Sequence, residues 1–440
     1  MLLAKKIKIY PNEEQVDVLW VISENCRIVY NFALADRKDT WRIEKRSVGY
    51  REQQDKLPEF KEKHPELKVV YSKVYQGILK KLSAAYSSTL TKWKRGDYTA
   101  ELPKFKGRNY IMTIPFNESG FKIKDGKITF SHFVNDTPLT FDIGDIADGL
   151  KVKHVEIIND NPYKARGKFF VAITYEEDVK IPFIDNGKID AIDLGITKAI
   201  TSVNMQGEFT EIKTPRVDKY WNPKIDEAQS RKDHCLGGKK GEKKGEKQRK
   251  SKKYLRLAKA VSTMSKKKTN QIKDFQHKLS RDMVNNSTAN TFVVGELNVK
   301  DMAKPKYKNG KKQKKTKKQR SLNRSTQGLG NLSRLPRFLT YKAPSVGKRV
   351  IRIDETDTSR TCCCCGKKHV MPLEIRVMNC DCGNVIDRDR NSAINIMIRY
   401  LSQNAPDTLS TFVDNLRHEG IIIIPHRLSD GIETLGVEAK

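Results

Sequence analysis

Six of the eight cysteines fall between Cys362 and Cys382, and this crowding constrains the fold more than any other feature of the chain. Dispersed thiols suit a disulfide framework, whereas thiols paired at close spacing suit a metal. Cys362 and Cys365 form a CxxC followed by Gly366; after fourteen intervening residues Cys380 and Cys382 form a CxC followed by Gly383. Two such pairs flanking a hairpin supply the four thiolates of a closed tetrahedral Zn²⁺ site. Four thiolates leave no open coordination position, so the expected role is structural. The competing reading is a reduced hairpin whose metal site has degraded. Cys363 and Cys364 are then substitute ligands or simple neighbours. Cys26 lies on the apolar face of a predicted helix and reads as a reduced core residue, while Cys235 stands alone.

Charge narrows the partners. Across 440 residues, 85 Lys and Arg against 53 Asp and Glu leave +32, more than solubility needs, which calls for a polyanion. Phosphate backbones fit because each neutralised phosphate releases condensed counterions. Anionic membrane fits less well. No apolar run approaches the ~20 residues of a spanning helix; the longest, Ile421 to Pro425, is strand-sized, and MLLAKKIKIYPNEEQ carries charge where a secretory core would stand. The expectation is a soluble intracellular protein with no membrane partner.

Periodicity divides the chain. Lys5 to Tyr10 alternate as a strand, and Pro11 with Asn12 opens a helix carrying Val16, Leu19, Trp20, Cys26, Val29, Tyr30 and Ala33. A second helix carries Val74, Ile78, Leu82, Ala85, Leu90 and Trp93, with a short helix expected in the proline-punctuated link between them. From Leu102 the segments are short, alternating and β-branched, predicting a small β domain. Its Lys104, Lys106, Arg108, Lys164, Arg166 and Lys168, interleaved with Phe105, Tyr110, Tyr163 and Phe169, suit phosphates and exposed bases, or else a solvated face over an aromatic core. Beyond Gly187, strands and helices alternate as in an α/β layer with an inserted metal hairpin, and the stretch from Lys304 to Arg320 is a cationic loop that nucleic acid could order. Residues past Asn404 read as a tail, and no fixed-period repeat is present.

Three acids carry the chemistry. Asp193 in AIDLGI and Glu296 ending TFVVGE sit in apolar strands, where an unpaired charge is costly. Asp389 precedes the helix NSAINI, where its bland role is an N-cap, and Asp387 competes with it. Together they suit two divalent ions roughly 3.5–4 Å apart that activate water and neutralise a scissile phosphate. Asp193 would bridge both ions, with Glu296 and Asp389 each completing one. No Ser-His-Asp or Cys-His relay stands out among the eight histidines.

Three blocks, AIDLGI, VVGELNVKDM and TSRTCCCCG followed by CDCGNVIDRDRNSAINI, resemble the nuclease motifs and zinc hairpin of the TnpB family, transposon-encoded relatives of type V CRISPR effectors. KKIKIYPNEEQ with CRIVYNFAL is similar to the family's N-terminus, and TYKAPSVGKRVIRID to the segment before its first Cys pair; the likeness spans about residues 1–400. It departs in the CxC pair, where the family has CxxC, and in a long cationic stretch after Glu296.

The resemblance implies a multidomain α+β protein. Residues 1–10 and 101–182 would be a β-barrel wedge domain and 11–100 a helical recognition domain. An RNase H-like RuvC nuclease domain would take 183–357 and 385–404, around a zinc-binding hairpin at 358–384, with a tail at 405–440. It also implies a guide RNA from the element's end, target double-stranded DNA beside a short adjacent motif, Mg or Mn as a pair of ions at Asp193, Glu296 and Asp389, and structural Zn. A monomer with its RNA, or a dimer, would work in the cytoplasm, on the nucleoid of a prokaryote or in the nucleus of a eukaryote. Two other functions compete: a strand-transfer transposase, disfavoured because its acids run Asp, Asp, Glu, and an RNA-guided DNA-binding module without cleavage, which needs a missing acid.

Overall fold

The computed structural model describes residues 2–147, 149–161, 167–176, 181–235, 251–296, 307–308, 311–312, 316–372, 374–421 and 423. Tyr163, Lys164 and Arg166 of the expected cationic face, residues 304–306, 309–310 and 313–315 of the expected cationic loop, and nearly all of the expected tail beyond Ile421 lie outside the described residues. The chain forms two compact units, Met1–Asp178 and Val179–Lys440.

In the first unit β1 (Leu2–Ile9) leads into α1 (Glu13–Glu44), whose start is fixed by a reciprocal cap. Asn12 Oδ1 accepts from the Gln15 amide at 2.8 Å and Gln15 Oε1 accepts from the Asn12 amide at 3.1 Å. Val18, Leu19, Ile22, Cys26, Val29 and Ala33 form its buried stripe, as the spacing predicts. Cys26 is wholly buried, and burial pushes its thiol up. After α2 (Tyr50–Asp55) and α3 (Leu57–Lys63), α4 (Ser72–Lys94) packs Val74, Tyr75, Ile78 and Leu82 into the same core. At Gly77 this helix meets β2 (Ile114–Asn117) so closely that a Cβ would lie 2.6 Å from Pro115 Cγ.

The strands β6 (Lys151–Asn159) and β7 (Phe169–Glu176) join β1 and β2 in an antiparallel sheet ordered β1-β7-β6-β2, while β3 (Phe121–Lys124), β4 (Lys127–Phe130) and β5 (Leu139–Asp142) form a separate meander. The expected barrel is therefore not closed among the described residues. The sheets bury their apolar faces against α1 and α4 in one core, which removes the need to close upon themselves. Strand structure begins at Ile114, later than the sequence pattern suggests. The Asn31 side chain takes both the N–H and the C=O of Lys106, at 2.9 Å each, supplying the partners a neighbouring strand would have given. Phe169 is core, whereas Phe105 is exposed with Lys38 Nζ 4.5 Å from its ring centroid.

In the second unit β8 (Ile189–Asp193), β9 (Lys198–Asn204) and β10 (Phe209–Lys213) form a meander, followed by the helical pair α5 (Val217–His234) and α6 (Lys252–Asn286). Next come β11 (Thr291–Glu296), a two-residue ladder of β12 (Tyr307–Lys308) and β13 (Lys311–Lys312), α7 (Lys317–Leu329), α8 (Arg334–Lys342) and β14 (Arg349–Asp354). The sheet runs β10-β9-β8-β11-β14, with β8, β11 and β14 parallel and β9 and β10 antiparallel to their neighbours. The parallel neighbours need crossovers, and α5–α6 and α7–α8 supply them. The small hairpin β15 (Val377–Asn379) and β16 (Val385–Asp387) precedes α9 (Arg388–Asn404) and α10 (Leu409–His418).

Side-chain alternation gives this sheet two different faces. Ile189, Ala191, Val293, Ile351 and Ile353 pack with Ala393, Ile394 and Met397 of α9. Ile192, Phe292 and Val294 pack on the other face with Leu279 of α6 and Leu335 and Leu339 of α8.

One ion cluster in the first unit sets a pH limit. Glu156 on β6 meets Lys81 Nζ of α4 at 2.8 Å and His154 Nε2 at 3.0 Å. Burial raises its carboxyl, but these two partners outweigh burial and hold it at about 2, against an ordinary 4.5. A depressed carboxyl stabilises the fold above its unfolded value, so this contribution should be full above about pH 4.5 and vanish as pH falls toward 2. Glu156→Gln is expected to lower the melting temperature at pH 7 by roughly 2–8 °C, each kcal/mol moving a unit of this size by about 2–4 °C. It should also flatten the acid limb; circular dichroism melts across that pH range check both effects.

Candidate functional site

Asp193 closes β8 on the α9 face of the sheet. Ser392 Oγ of α9 donates to Asp193 Oδ1 at 2.7 Å, a bond between residues 199 positions apart. Thr358 Oγ1 lies 2.9 Å from the same hydroxyl and holds it. Burial raises the Asp193 carboxyl well above the usual range and Asp389 repels it further, against the opposing pull of the Ser392 bond.

Asp389 lies in the first turn of α9, one turn before Ser392, and residues three apart share a helix face. The capping role that competed for Asp389 belongs to Asp387, whose Oδ1 accepts from the amides of Asp389 at 2.9 Å and Arg390 at 3.2 Å. Lys198 Nζ pairs with Asp387 at 3.0 Å. Burial pushes the Asp387 carboxyl up, but Lys198 and the cap amides outweigh it and leave it low. Asp389 is raised, first by burial and then by repulsion from Asp387.

Glu296 takes a different position. Along β11, Phe292 and Val294 face α6 and α8, and Glu296 continues that row. Its side chain is exposed and meets Arg352 Nη1 at 3.2 Å, while Arg352 Nη2 reaches Thr340 of α8 at 3.3 Å. The fold thus brings Asp193 and Asp389 to one face and leaves Glu296 on the other.

Two residues passed over in the sequence belong to this region. Ser392 is a small polar group three positions after an acid, spacing that marks a shared face. Glu355 is a carboxylate in the row Ile351, Ile353, Glu355, where alternation calls for another apolar side chain. Burial raises Glu355 far above the carboxylate range, with Asp193 and Asp354 adding repulsion.

The thiol hairpin is a second centre. The Sγ atoms of Cys362, Cys365, Cys380 and Cys382 all lie within 4.8 Å of one another, with Cys362–Cys382 at 3.7 Å and Cys365–Cys380 at 3.5 Å. A tetrahedron with Zn–S bonds near 2.3 Å has edges of about 3.8 Å, so this donor set fits zinc and the CxC spacing reaches it. The Asn384 side-chain amide donates to Cys362 Sγ at 3.2 Å, and His369 Nε2 lies 3.1 Å from Cys380 Sγ. Cys363 and Cys364 are buried beside Met378 and Ile394 as core, and the Cys363 amide donates to Asn391 Oδ1 at 2.8 Å. Asn391 and Asn395 of α9 also donate to the Thr361 carbonyl, at 2.8 and 2.7 Å, which binds the hairpin to the helix that carries Asp389.

Residues 333–396, covering β14, the hairpin and the start of α9, match the model of the Cas12f1-like TNB domain. Residues 1–46 match a helix-turn-helix domain model of the IS605 OrfB type, although here they form one strand and one long helix. A Streptomyces pristinaespiralis protein, named as a candidate RNA-guided DNA endonuclease, is 28% identical over 407 residues, covering 91% of this chain and 90% of that protein. A TnpB-like protein of Methanocaldococcus jannaschii is 28% identical over 234 residues, covering 51% of this chain and 75% of its own. Another, of Acanthamoeba polyphaga mimivirus, is 30% identical over 153 residues, which cover 33% of this chain and 26% of that protein. The chain is similar to these TnpB-like proteins. It also shares a fold with Cas12f1 as solved with guide RNA and target DNA, at a TM-score of 0.57 and 12% identity over 88% of this chain and 83% of that one.

The four-thiol geometry fixes which cysteines should matter for zinc. Purified protein is expected to carry one equivalent of zinc by elemental analysis and to lose melting temperature on chelation. Cys380→Ser should abolish retention, whereas Cys364→Ala should keep the zinc. Equal zinc content in both variants would refute the ligand set.

Proposed function

We propose that this chain is an RNA-guided DNA endonuclease of a mobile element, which hydrolyses target DNA at a Mg-dependent RuvC-type carboxylate site. The single observation carrying the reading is the meeting of Asp193 with Ser392, one helical turn from Asp389, at the end of the first parallel strand of a mixed sheet in a chain of charge +32. In chain order the five strands stand third, second, first, fourth and fifth, an order that supports an RNase H-like core for residues 183–357 and 385–404. The RNA-guided reading draws on the name of the Streptomyces relative and on that chain's near-complete overlap with this one. Residues 1–10 and 101–182 would then act as the wedge and 11–100 as the recognition domain.

Asp193 and Asp389 would hold Mg²⁺ or Mn²⁺, and the donor set fits, because like-charged carboxylates crowded in a half-buried site favour a hard cation that takes oxygen ligands. Ions bound there supply an activated water and neutralise charge on the attacked phosphate and the leaving oxygen. Ser392 fixes one oxygen of Asp193 and so aims the other. Asp387 caps α9, sparing Asp389 that task, and Lys198 keeps Asp387 ionised. Arg388, close enough to feel the charges of Asp193, Asp389, Arg360 and Arg376, belongs to a cationic rim that would hold the DNA backbone. Guide pairing would read sequence, with the protein reading a short adjacent motif and duplex shape. No helix among the described residues is long and apolar enough to cross a membrane.

Asp193→Asn and Asp389→Asn in the RNA-bound protein should each lower guided cleavage by at least the roughly 10–100-fold that even outer-shell partners cost, while target binding by mobility shift stays within a few-fold. Cutting at the unaltered rate by both variants would overturn the reading. RNA affinity should also fall steeply between about 50 and 200 mM salt, since phosphate contacts release counterions.

A further inference from the structure

We infer that Lys198 and Glu211 are positioning residues for Asp389: a β-bulge in β9 turns Lys198 onto the α9 face, where it and Glu211 pin the first turn of α9 on both sides of that carboxylate. The inference rests on the proposed nuclease reading and deepens it by naming residues that hold no ion themselves.

Packing and register together locate the bulge. Val203 of β9 packs on the α9 face, while Ala199 and Ile200 both pack on the face covered by α6 and α8. Successive residues of a regular strand face opposite ways, so two neighbours on one face mark an extra residue. The ladder agrees. Ile200 pairs with Ile212 of β10 and Lys198 with Lys213, which leaves Ala199 with no residue opposite. In an unbroken strand Lys198 would share the face of Ile200; the extra residue turns it toward α9. The approach to the bulge is tight, since a Cβ on Gly195 would lie 2.6 Å from the Lys198 carbonyl oxygen, so β9 starts directly from the turn that follows Asp193.

On the α9 face Lys198 Nζ meets Asp387 at 3.0 Å and Glu211 at 3.2 Å, and Glu211 accepts from Arg390 Nε at 2.6 Å. Glu211 lies opposite Thr201 and Phe209 opposite Val203, so both face α9, and the Arg390 guanidinium stands 5.0 Å from the Phe209 ring centroid. Asp387 and Arg390 flank Asp389 in the chain. The strand pair thus holds the helix ahead of Asp389 through its N-cap and behind it through Arg390. Among the described residues the Asp389 carboxylate makes no hydrogen bond or ion pair of its own, so its aim is inherited from the backbone of this turn.

Partly exposed ion pairs contribute little to stability. Their effect here is on orientation, and a misplacement of about 1 Å can cost about 100-fold in rate. Were the network a surface brace alone, its loss would leave ion binding and rate unchanged.

Lys198→Met, which keeps the stem and removes the charge, separates these cases in the RNA-bound protein. Amide hydrogen exchange of the peptide spanning residues 387–391, read by mass spectrometry without added metal, is expected to quicken roughly five- to tenfold, as a weakened cap would give. Mn²⁺ binding, followed by electron paramagnetic resonance against Asp193→Asn so that ions held by the RNA cancel, should weaken in the same variant. Guided cleavage should lose roughly 10–100-fold in kcat with the target KM within a few-fold of the parent. Glu211→Gln should repeat this pattern more weakly, and Lys198→Arg should restore most of kcat. Asparagine caps a helix about as well as aspartate, so in an Asp387→Asn background Lys198→Met should cost at most a few-fold more. Parental exchange, parental Mn²⁺ affinity or parental kcat in Lys198→Met would overturn the inference, as would its full loss repeated in the Asp387→Asn background. Any of these beside an inactive Asp193→Asn would leave the nuclease reading standing without it. Parental cutting and Mn²⁺ binding in Asp193→Asn would instead remove that reading, and the inference with it.

Discussion

The hydrogen bond from Ser392 to Asp193 joins the two elements on which the second unit depends. One partner closes the first parallel strand and the other lies on the helix covering that face. Repulsion between Asp193 and Asp389 opposes this closure, so apolar packing of α9 against Ala191, Val293 and Ile353 has to outweigh it. Burying a large aliphatic side chain contributes about 1.5–3 kcal/mol, and α9 buries Ile394, Ile396, Met397, Ile398 and Leu401 fully. That many buried side chains can hold like charges together in a way that neither strand nor helix could manage alone.

The same helix also organises the thiol hairpin. Asn391 and Asn395 are fully buried and spend their amides on the carbonyls of Thr358 and Thr361, immediately before Cys362. A metal clasp at the four thiols would therefore stiffen the segment that supports Ser392 through Thr358. The hairpin sits in the chain between the last long strand and the helix bearing Asp389, and its hydrogen bonds explain that position physically: it buttresses the end of the site at which α9 begins.

Much of this was legible in residue patterns. The apolar runs of β8 and β11, the helical stripes of α1 and α4, and the pairing of Cys362, Cys365, Cys380 and Cys382 each correspond to a local rule that packing did not override. Other features needed the third dimension. Nothing local tells whether Asp387 or Asp389 caps α9, since both stand before the apolar run NSAINI; in the fold Asp387 takes the cap and pairs with Lys198 from a distant strand. Closure of the first unit into a barrel depended on what covers the sheets, and α1 and α4 do so. For Glu296 alternation gives only its row, Phe292, Val294, Glu296, in a strand apolar on both faces. Its facing direction is decided only by which helix covers which side.

A molecule with so many lysines and arginines might be expected to neutralise its own buried acids, yet the charge is spent elsewhere. Lys198 serves Asp387 and Glu211, Arg390 serves Glu211, Arg352 serves Glu296, and Arg399 donates to backbone carbonyls. Among the described residues no cation stands within ion-pair distance of Asp193 or Glu355. The remaining positive charge is spread over the surface, where salt screens it beyond about 8–10 Å. Global charge draws a polyanion toward the protein, while the local deficit lies with carboxylates whose nearby cations have other partners. On the proposed nuclease reading the two demands would be met by different species, a phosphate backbone at the surface and a divalent ion at the carboxylates, and a phosphodiester held against such an ion would satisfy both at once.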